Sequence, residues 1–255
     1  MEESIFKLND ELEIKVARLG VDNRSVVIVD NFYKYPDKVR ELALQQPLNN
    51  DQELVSGFPG WRTHVNTIEV GDELYDFFLD LCLDEDIWQR GHQLNLKQFD
   101  KGWESMSFMC NVLNDESLID DPLGIIPHQD NYSDARVDDG KKYIPNFEFG
   151  SVIYLNTPEE CAGGTNIYSW DGTLTIPKRL TSGIPKPLNE DGMSEREIFE
   201  YVHYHLYHNE RWKVVHQFEM VYNRMCLYQS DNLHGQWVDL GMFTDYNRLN
   251  QVLFM

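Results

Sequence analysis

The chain has 255 residues, 42% hydrophobic and 25% charged, the composition of a globular protein rather than a disordered one. Its 43 acidic residues against 22 basic ones give a net charge of −21, a field that repels phosphates and argues against nucleic acid and anionic membranes as partners. Met1 to Leu8 carries charges and no apolar run, no stretch approaches the ~20 apolar residues of a membrane span, and Cys82, Cys110, Cys161 and Cys226 match no metal spacing; a cytoplasmic protein with reduced core thiols is expected.

In chain order, Val26 to Val29 is a short β-branched strand. Pro36 then opens a helix, since proline is tolerated in the first helical turn, and Val39, Leu42 and Ala43 give that helix an apolar stripe. A second helix is expected over Glu73 to Leu83, with Leu74, Phe77, Phe78 and Leu81 on one face and Asp72 as its N-cap. From about residue 94 the pattern turns to strands. Expected strands are Leu94 to Phe99, Ser105 to Leu113, Phe149 to Leu155 and Thr165 to Trp170. Lys213 to Val221 and Met225 to Gln229 read as a hairpin through Tyr222-Asn223-Arg224, and Arg248 to Met255 is the last strand. One helix interrupts the series, where Ser194 and Glu197 form a capping box ahead of Ile198, Val202 and Leu206.

Helices followed by about eight short strands suit an α+β, mainly β protein with a double-stranded β-helix (jelly roll) core and N-terminal helices packed on it. A single domain over residues 1–255 is expected. Residues 1–93 would form its N-terminal support and residues 94–255 its core, with an inserted segment at about 171–211. That insert is longer than a strand connection needs, and a role in covering the active site and selecting the substrate is expected of it.

The chemistry-bearing motif is Pro127-His128-Gln129-Asp130. Residues two apart in a strand project to one face, so His128 and Asp130 can offer an imidazole and a carboxylate to one metal. His234, in Asn232-Leu233-His234-Gly235, is the candidate third ligand. Two histidines and a carboxylate leave positions open, which suits non-haem iron(II) handling oxygen and a chelating co-substrate. Alone, His-x-Asp is also what a surface turn looks like; its order relative to the motifs that follow gives it weight.

The second half resembles the prolyl-4-hydroxylase-like branch of the iron(II)/2-oxoglutarate-dependent oxygenases. The resemblance rests on His128 and Asp130, then Ser151-Val152-Ile153-Tyr154-Leu155-Asn156, Gly163-Gly164-Thr165, His234, and Arg248 opening Leu249-Asn250-Gln251-Val252-Leu253-Phe254. It covers roughly residues 94–255 as short motifs in the right order. It implies a dioxygenase whose iron is held by His128, Asp130 and His234. Arg248 would grip the distal carboxylate of 2-oxoglutarate, a match for a guanidinium fork, and Tyr154 would hydrogen-bond the same carboxylate. A surface ion pair for Arg248 and core packing for Tyr154 are the plain alternatives, with Arg224 a second candidate for the carboxylate. The implied reaction is hydroxylation of an amino acid or peptidyl residue, with release of succinate and carbon dioxide. The implied partner is thus a small-molecule or peptide substrate. Two other readings stay open: a cupin-like metal enzyme, and a catalytically inactive jelly-roll binding module. His203, His205 and His208 read as solvent- or substrate-facing rather than as a metal site.

Overall fold

A computed structural model of the chain describes residues 3–49, 60–63, 70–88, 109–116, 125, 127–130, 149–174, 192–208 and 212–254. Among them the chain forms eleven strands and four helices. The strands are β1 (Glu13–Leu19), β2 (Arg24–Asp30), β3 (Leu48–Asn49), β4 (Trp61–Thr63), β5 (Met109–Leu113), β6 (Phe149–Tyr154), β7 (Gly164–Trp170), β8 (Trp212–Glu219), β9 (Met225–Gln229), β10 (His234–Trp237) and β11 (Arg248–Phe254). The helices are α1 (Pro36–Gln45), α2 (Asp72–Leu83), α3 (Glu85–Trp88) and α4 (Glu195–His208). The protein is therefore mainly β. The expected strand at Leu94 to Phe99 and most of the insert, residues 175–191, lie outside the described residues.

Eight strands make one antiparallel sheet in the order β1-β2-β9-β6-β11-β5-β4-β3, and three make a second in the order β10-β7-β8. The middle of the larger sheet, β2, β9, β6 and β11, is buried on both faces, and side chains alternate between them along each strand. On one face Val27, Val29, Ile153, Leu227, Leu249 and Leu253 pack against α1, α2 and α3. On the other, Val26, Val152, Tyr154, Cys226 and Tyr228 meet Ile167, Tyr168 and Phe218 of the small sheet. This helix–sheet–sheet layering is compatible with a β-sandwich or jelly roll. No described helix is long and apolar enough to cross a membrane.

The helices follow the sequence pattern closely. Pro36 stands in the first turn of α1, and Val39 and Ala43, one turn apart, are its buried residues. In α2 the buried residues are Leu74, Phe78, Leu81 and Cys82, the spacing of one helical stripe. Its N-cap is Gly71 at φ 94°, not Asp72. Glycine takes that positive φ without strain, so Asp72 falls one place later, in the first turn, where its charge still favours the helix dipole. The capping box of α4 is present: Ser194 N–H donates to Glu197 Oε2 at 2.7 Å, and Glu197 N–H donates to Ser194 Oγ at 3.4 Å.

The expected hairpin of residues 213–229 is not formed. β8 pairs with β7 in the small sheet, while β9 pairs with β2 and β6 in the large one. The Tyr222-Asn223-Arg224 turn carries the chain from one sheet to the other. Asn223 (φ 62°) locks the crossing, since its side chain bonds both the N–H and the C=O of Tyr33 at 2.8 Å. Four strands, β1, β3, β4 and β10, were not expected. β1 is an edge strand with Ile14 and Val16 half-exposed, and β10 is only four residues long.

Candidate metal centre

His128, Asp130 and His234 converge so that one ligand atom from each lies within 4.8 Å of the others. Among the described residues this is the one such grouping of three or more histidine, cysteine or acidic side chains. His128 and Asp130 do not sit in a continuous strand as expected. They are held as a short extended segment by backbone bonds to a distant part of the chain. His128 and His234 form an isolated antiparallel bridge, N–H to O=C at 2.8 and 3.0 Å, and Asp130 N–H donates to the Ser230 carbonyl at 2.8 Å. The alternation that places residues 128 and 130 on one face is thus supported by these three backbone hydrogen bonds.

His234 Nε2 lies 3.2 Å from Asp130 Oδ2, and His128 Nε2 lies 3.7 Å from Asp130 Oδ1. The Asn232 carbonyl is 2.9 Å from His234 Nδ1. A proton on Nδ1 leaves the Nε2 lone pair aimed at the cluster, the usual way a ligating imidazole is oriented. Burial disfavours a charged His234 ring, but the Asp130 carboxylate, its hydrogen bond and the Asn232 carbonyl together hold the pKa above its ordinary value. The Asp130 carboxylate also has a close neighbour below. A Cβ built at Gly150 would stand 3.0 Å from Asp130 Oδ2 and 3.2 Å from Tyr228 Cε2. Two imidazoles and one carboxylate fit a divalent first-row metal and are consistent with iron.

The three residues line a cleft of about 430 Å3, counting its open mouth. Val152, Val252 and Phe254 give the cleft apolar lining, and Thr165, Gln236, Arg248 and Asn250 give it a polar wall. Along β11, residues 248, 250, 252 and 254 all reach the cleft. This period-two row was legible in the sequence, although only Arg248 was singled out from it. Gln236 was missed for want of a motif; it shares a face with His234 two residues earlier, and its Oε1 is buried without a partner among the described residues.

Arg248 is 3% exposed. Its guanidinium donates to Asn250 Oδ1 at 2.5 Å and to the Gly164 carbonyl at 3.2 Å, and its Nε is buried without a partner among the described residues. No described carboxylate lies within ion-pair distance of it. Burial alone pulls its pKa below the usual arginine value, with Tyr154 and Tyr228 opposing. Arg248 is therefore not in a surface ion pair. Arg224, the second candidate, is committed elsewhere: its Nε and Nη2 bind the Asp30 carboxylate at 2.5 and 3.1 Å. Tyr154 is fully buried, and its hydroxyl donates to Thr165 Oγ1 at 2.8 Å.

The inserted-helix histidines stand apart from this centre. His203 Nε2 is 2.5 Å from Asp239 Oδ1, His205 packs on Tyr201, and His208 stacks on Tyr204. Cys161 and Cys226 are free thiols; the Cys110 side chain lies outside the described residues.

No curated protein matches the chain. Among solved structures, a prolyl-4-hydroxylase from Pseudomonas putida is similar over 92% of this chain and 87% of that one, at 13% identity and a TM-score of 0.40. Residues 10–244 match the model of a family of unknown function, DUF6445, and the chain belongs to that family.

Proposed function

We propose that the protein is an iron(II)- and 2-oxoglutarate-dependent dioxygenase on a double-stranded β-helix core, hydroxylating an amino acid or peptidyl residue. The observation that carries this reading is Arg248. A buried guanidinium is costly without an anion, and this one shares a cleft with the only converging ligand cluster among the described residues. A ligand cluster and a buried cation lining one cleft, with Val152 and Val252 among its apolar lining, suit a short chelating dicarboxylate.

His128, Asp130 and His234 would hold iron on one face and leave the other positions for co-substrate and oxygen. Bound iron with 2-oxoglutarate supplies the oxidising chemistry, the keto acid leaving as succinate and carbon dioxide. The chain's own residues do the rest. Asn232 fixes the His234 ring through Nδ1. Asn250 and the Gly164 carbonyl hold the Arg248 fork in place, so the carboxylate meets a preorganised partner. Val152 and Val252 add apolar lining to the cleft, and a low-polarity surround strengthens the ion pair.

The test is an anaerobic titration with iron(II) and 2-oxoglutarate, read by the visible metal-to-ligand charge-transfer band. The band is expected in the wild type, absent in His128→Ala and weakened in Arg248→Ala. A folded wild-type protein without the band would move the inactive binding module to the front.

A further inference from the structure

Four tyrosines are buried among the described residues: Tyr33, Tyr154, Tyr168 and Tyr228. Three of their hydroxyls are bonded within the protein. Tyr33 donates to Gln251 Oε1 at 2.9 Å, Tyr154 donates to Thr165 Oγ1 at 2.8 Å, and Tyr168 accepts from Asn166 Nδ2 at 3.0 Å. The Tyr228 hydroxyl has no hydrogen-bond partner among the described residues, although the residue is only 3% exposed. A buried tyrosine hydroxyl ordinarily finds a partner, because leaving that bond unmade is costly.

Tyr228 lines the cleft. It projects from β9 toward the small sheet, its ring 4.6 Å from the His234 ring and 6.3 Å from the Phe218 ring, centroid to centroid. A Cβ built at Gly150 would stand 3.2 Å from Tyr228 Cε2, 3.5 Å from Tyr228 Cζ and 3.0 Å from Asp130 Oδ2. The hydroxyl end of the ring and the Asp130 carboxylate therefore share the gap that the glycine leaves. Two of the three converging ligands flank Tyr228, yet its hydroxyl bonds neither. A phenol titrates near pH ~10 and is a donor at neutral pH. Its proton is offered to the cleft beside the ligand cluster. A metal on two histidines and one carboxylate keeps positions open for small ligands, and an atom bound there is the acceptor that this placement suits.

The geometry points to Tyr228 as the hydrogen-bond donor to the small molecule that completes the metal's coordination, in the place where dioxygen would bind. The inference rests on the metal-centre reading of His128, Asp130 and His234; Arg248 has no part in it. Packing against Phe218 and His234 fixes the ring in advance, so the donor meets charge building on the bound molecule without reorganising.

Nitric oxide, a diatomic that iron(II) binds without turnover, is the probe. Anaerobic iron(II)-loaded protein is titrated with it, with and without 2-oxoglutarate, and the nitrosyl complex is read by absorbance and electron paramagnetic resonance. Tyr228→Phe keeps the ring and removes the donor. It is expected to weaken nitric oxide about five- to tenfold and to leave iron(II) and 2-oxoglutarate affinity within about twofold. In heavy water, an exchangeable deuteron coupled to the nitrosyl centre is expected in the wild type and lost in Tyr228→Phe. Without metal, Tyr228→Phe is expected to melt with the wild type, whereas Tyr33→Phe, which breaks the bond to Gln251, melts lower. Unchanged nitric oxide affinity would overturn the proposal. Weaker 2-oxoglutarate with nitric oxide unchanged would assign the hydroxyl to the keto acid and overturn it too. So would a metal-free Tyr228→Phe as destabilised as Tyr33→Phe, since the hydroxyl would then have a partner in the protein. A folded wild type that binds no iron(II) removes the metal-centre reading and the proposal together. A wild type that binds iron(II), and nitric oxide no more tightly than Tyr228→Phe does, removes the proposal alone.

Discussion

His128 and His234 exchange both of their backbone hydrogen bonds, at 2.8 and 3.0 Å, although they lie in distant parts of the sequence. Their rings stand 4.4 Å apart, centroid to centroid. The two imidazoles are therefore placed by main-chain pairing, and side-chain packing only refines them. The 230–232 turn completes the frame, because it bonds Asp130 N–H through Ser230 and His234 through Asn232.

Arg24 tests that frame from outside the cleft. It pairs with Asp231, whose carbonyl accepts from Gln129 Nε2. Arg24→Ala frees the turn that bonds Asp130 and His234. The expected outcome is about 10- to 100-fold weaker iron(II) binding, the usual cost of losing an orienting partner, with the fold retained. Metal titration beside a thermal melt checks both halves. Unchanged affinity would mean that the His128–His234 bridge suffices.

Arg248→Met separates stability from binding. The buried guanidinium has no anionic partner among the described residues, so an apolar side chain of similar length removes a desolvation cost. The ligand-free variant is expected to be more stable than wild type by about 1–4 kcal/mol in denaturant unfolding, and to lose 2-oxoglutarate binding. A destabilised variant would show that the bonds to Asn250 and Gly164 outweigh that cost.

Gly150→Ala pushes on the candidate metal site without replacing a ligand residue. The new methyl would meet Asp130 Oδ2 at 3.0 Å and Tyr228 Cε2 at 3.2 Å. Overpacking of this kind costs about 1–3 kcal/mol. Weaker iron(II) binding with 2-oxoglutarate affinity at saturating metal little changed is the expected result, since the nearest atoms to the new methyl belong to Asp130 and Tyr228 and not to Arg248. Equal loss of both affinities would contradict it.

Two carboxylates set the acid limit of stability. Burial works against ionisation of Asp30, but Arg224 and Lys15 bind it and hold its pKa below the usual value. Glu160 is alike, with burial opposed by Arg40, whose Nη2 reaches both carboxylate oxygens at 2.7 and 2.8 Å. A depressed folded-state pKa gives stability that is present above the unfolded value, about 4, and is lost as pH falls through the folded value. Asp30→Asn and Glu160→Gln are each expected to lower stability at neutral pH by about 2 kcal/mol. Each also makes the decline below about pH 4 shallower. Urea unfolding from pH 2 to 7 decides; an unchanged acid slope in both variants would assign the decline to other groups.

The sequence was informative where one local signal governs. Pro36, the α2 stripe and the Ser194–Glu197 box each act within a few residues, and all three are in place. It was misleading where the partner is remote. Nothing between residues 213 and 229 reveals that β7 and β2 compete for the two strands, so a turn-like Tyr222-Asn223-Arg224 reads as a hairpin. β1 hides because an exposed edge strand mixes Glu13, Lys15 and Arg18 with Ile14 and Val16. At the site, the residue types foretold the converging ligands, whereas the partners of Arg248 and the Tyr154–Thr165 contact depend on sheet-to-sheet packing that no local pattern encodes.

β11 has the helical core on one side and the cleft on the other. Leu249 and Leu253 face the helices, Gln251 accepts a hydrogen bond from Tyr33, and the residues between them line the cleft. A substitution in the helical layer that shifts Tyr33 or Leu249 moves the backbone from which Arg248 and Asn250 project. Selection on binding therefore reaches residues that never see a ligand, and β11 should tolerate less drift at every position than a strand with one solvated face.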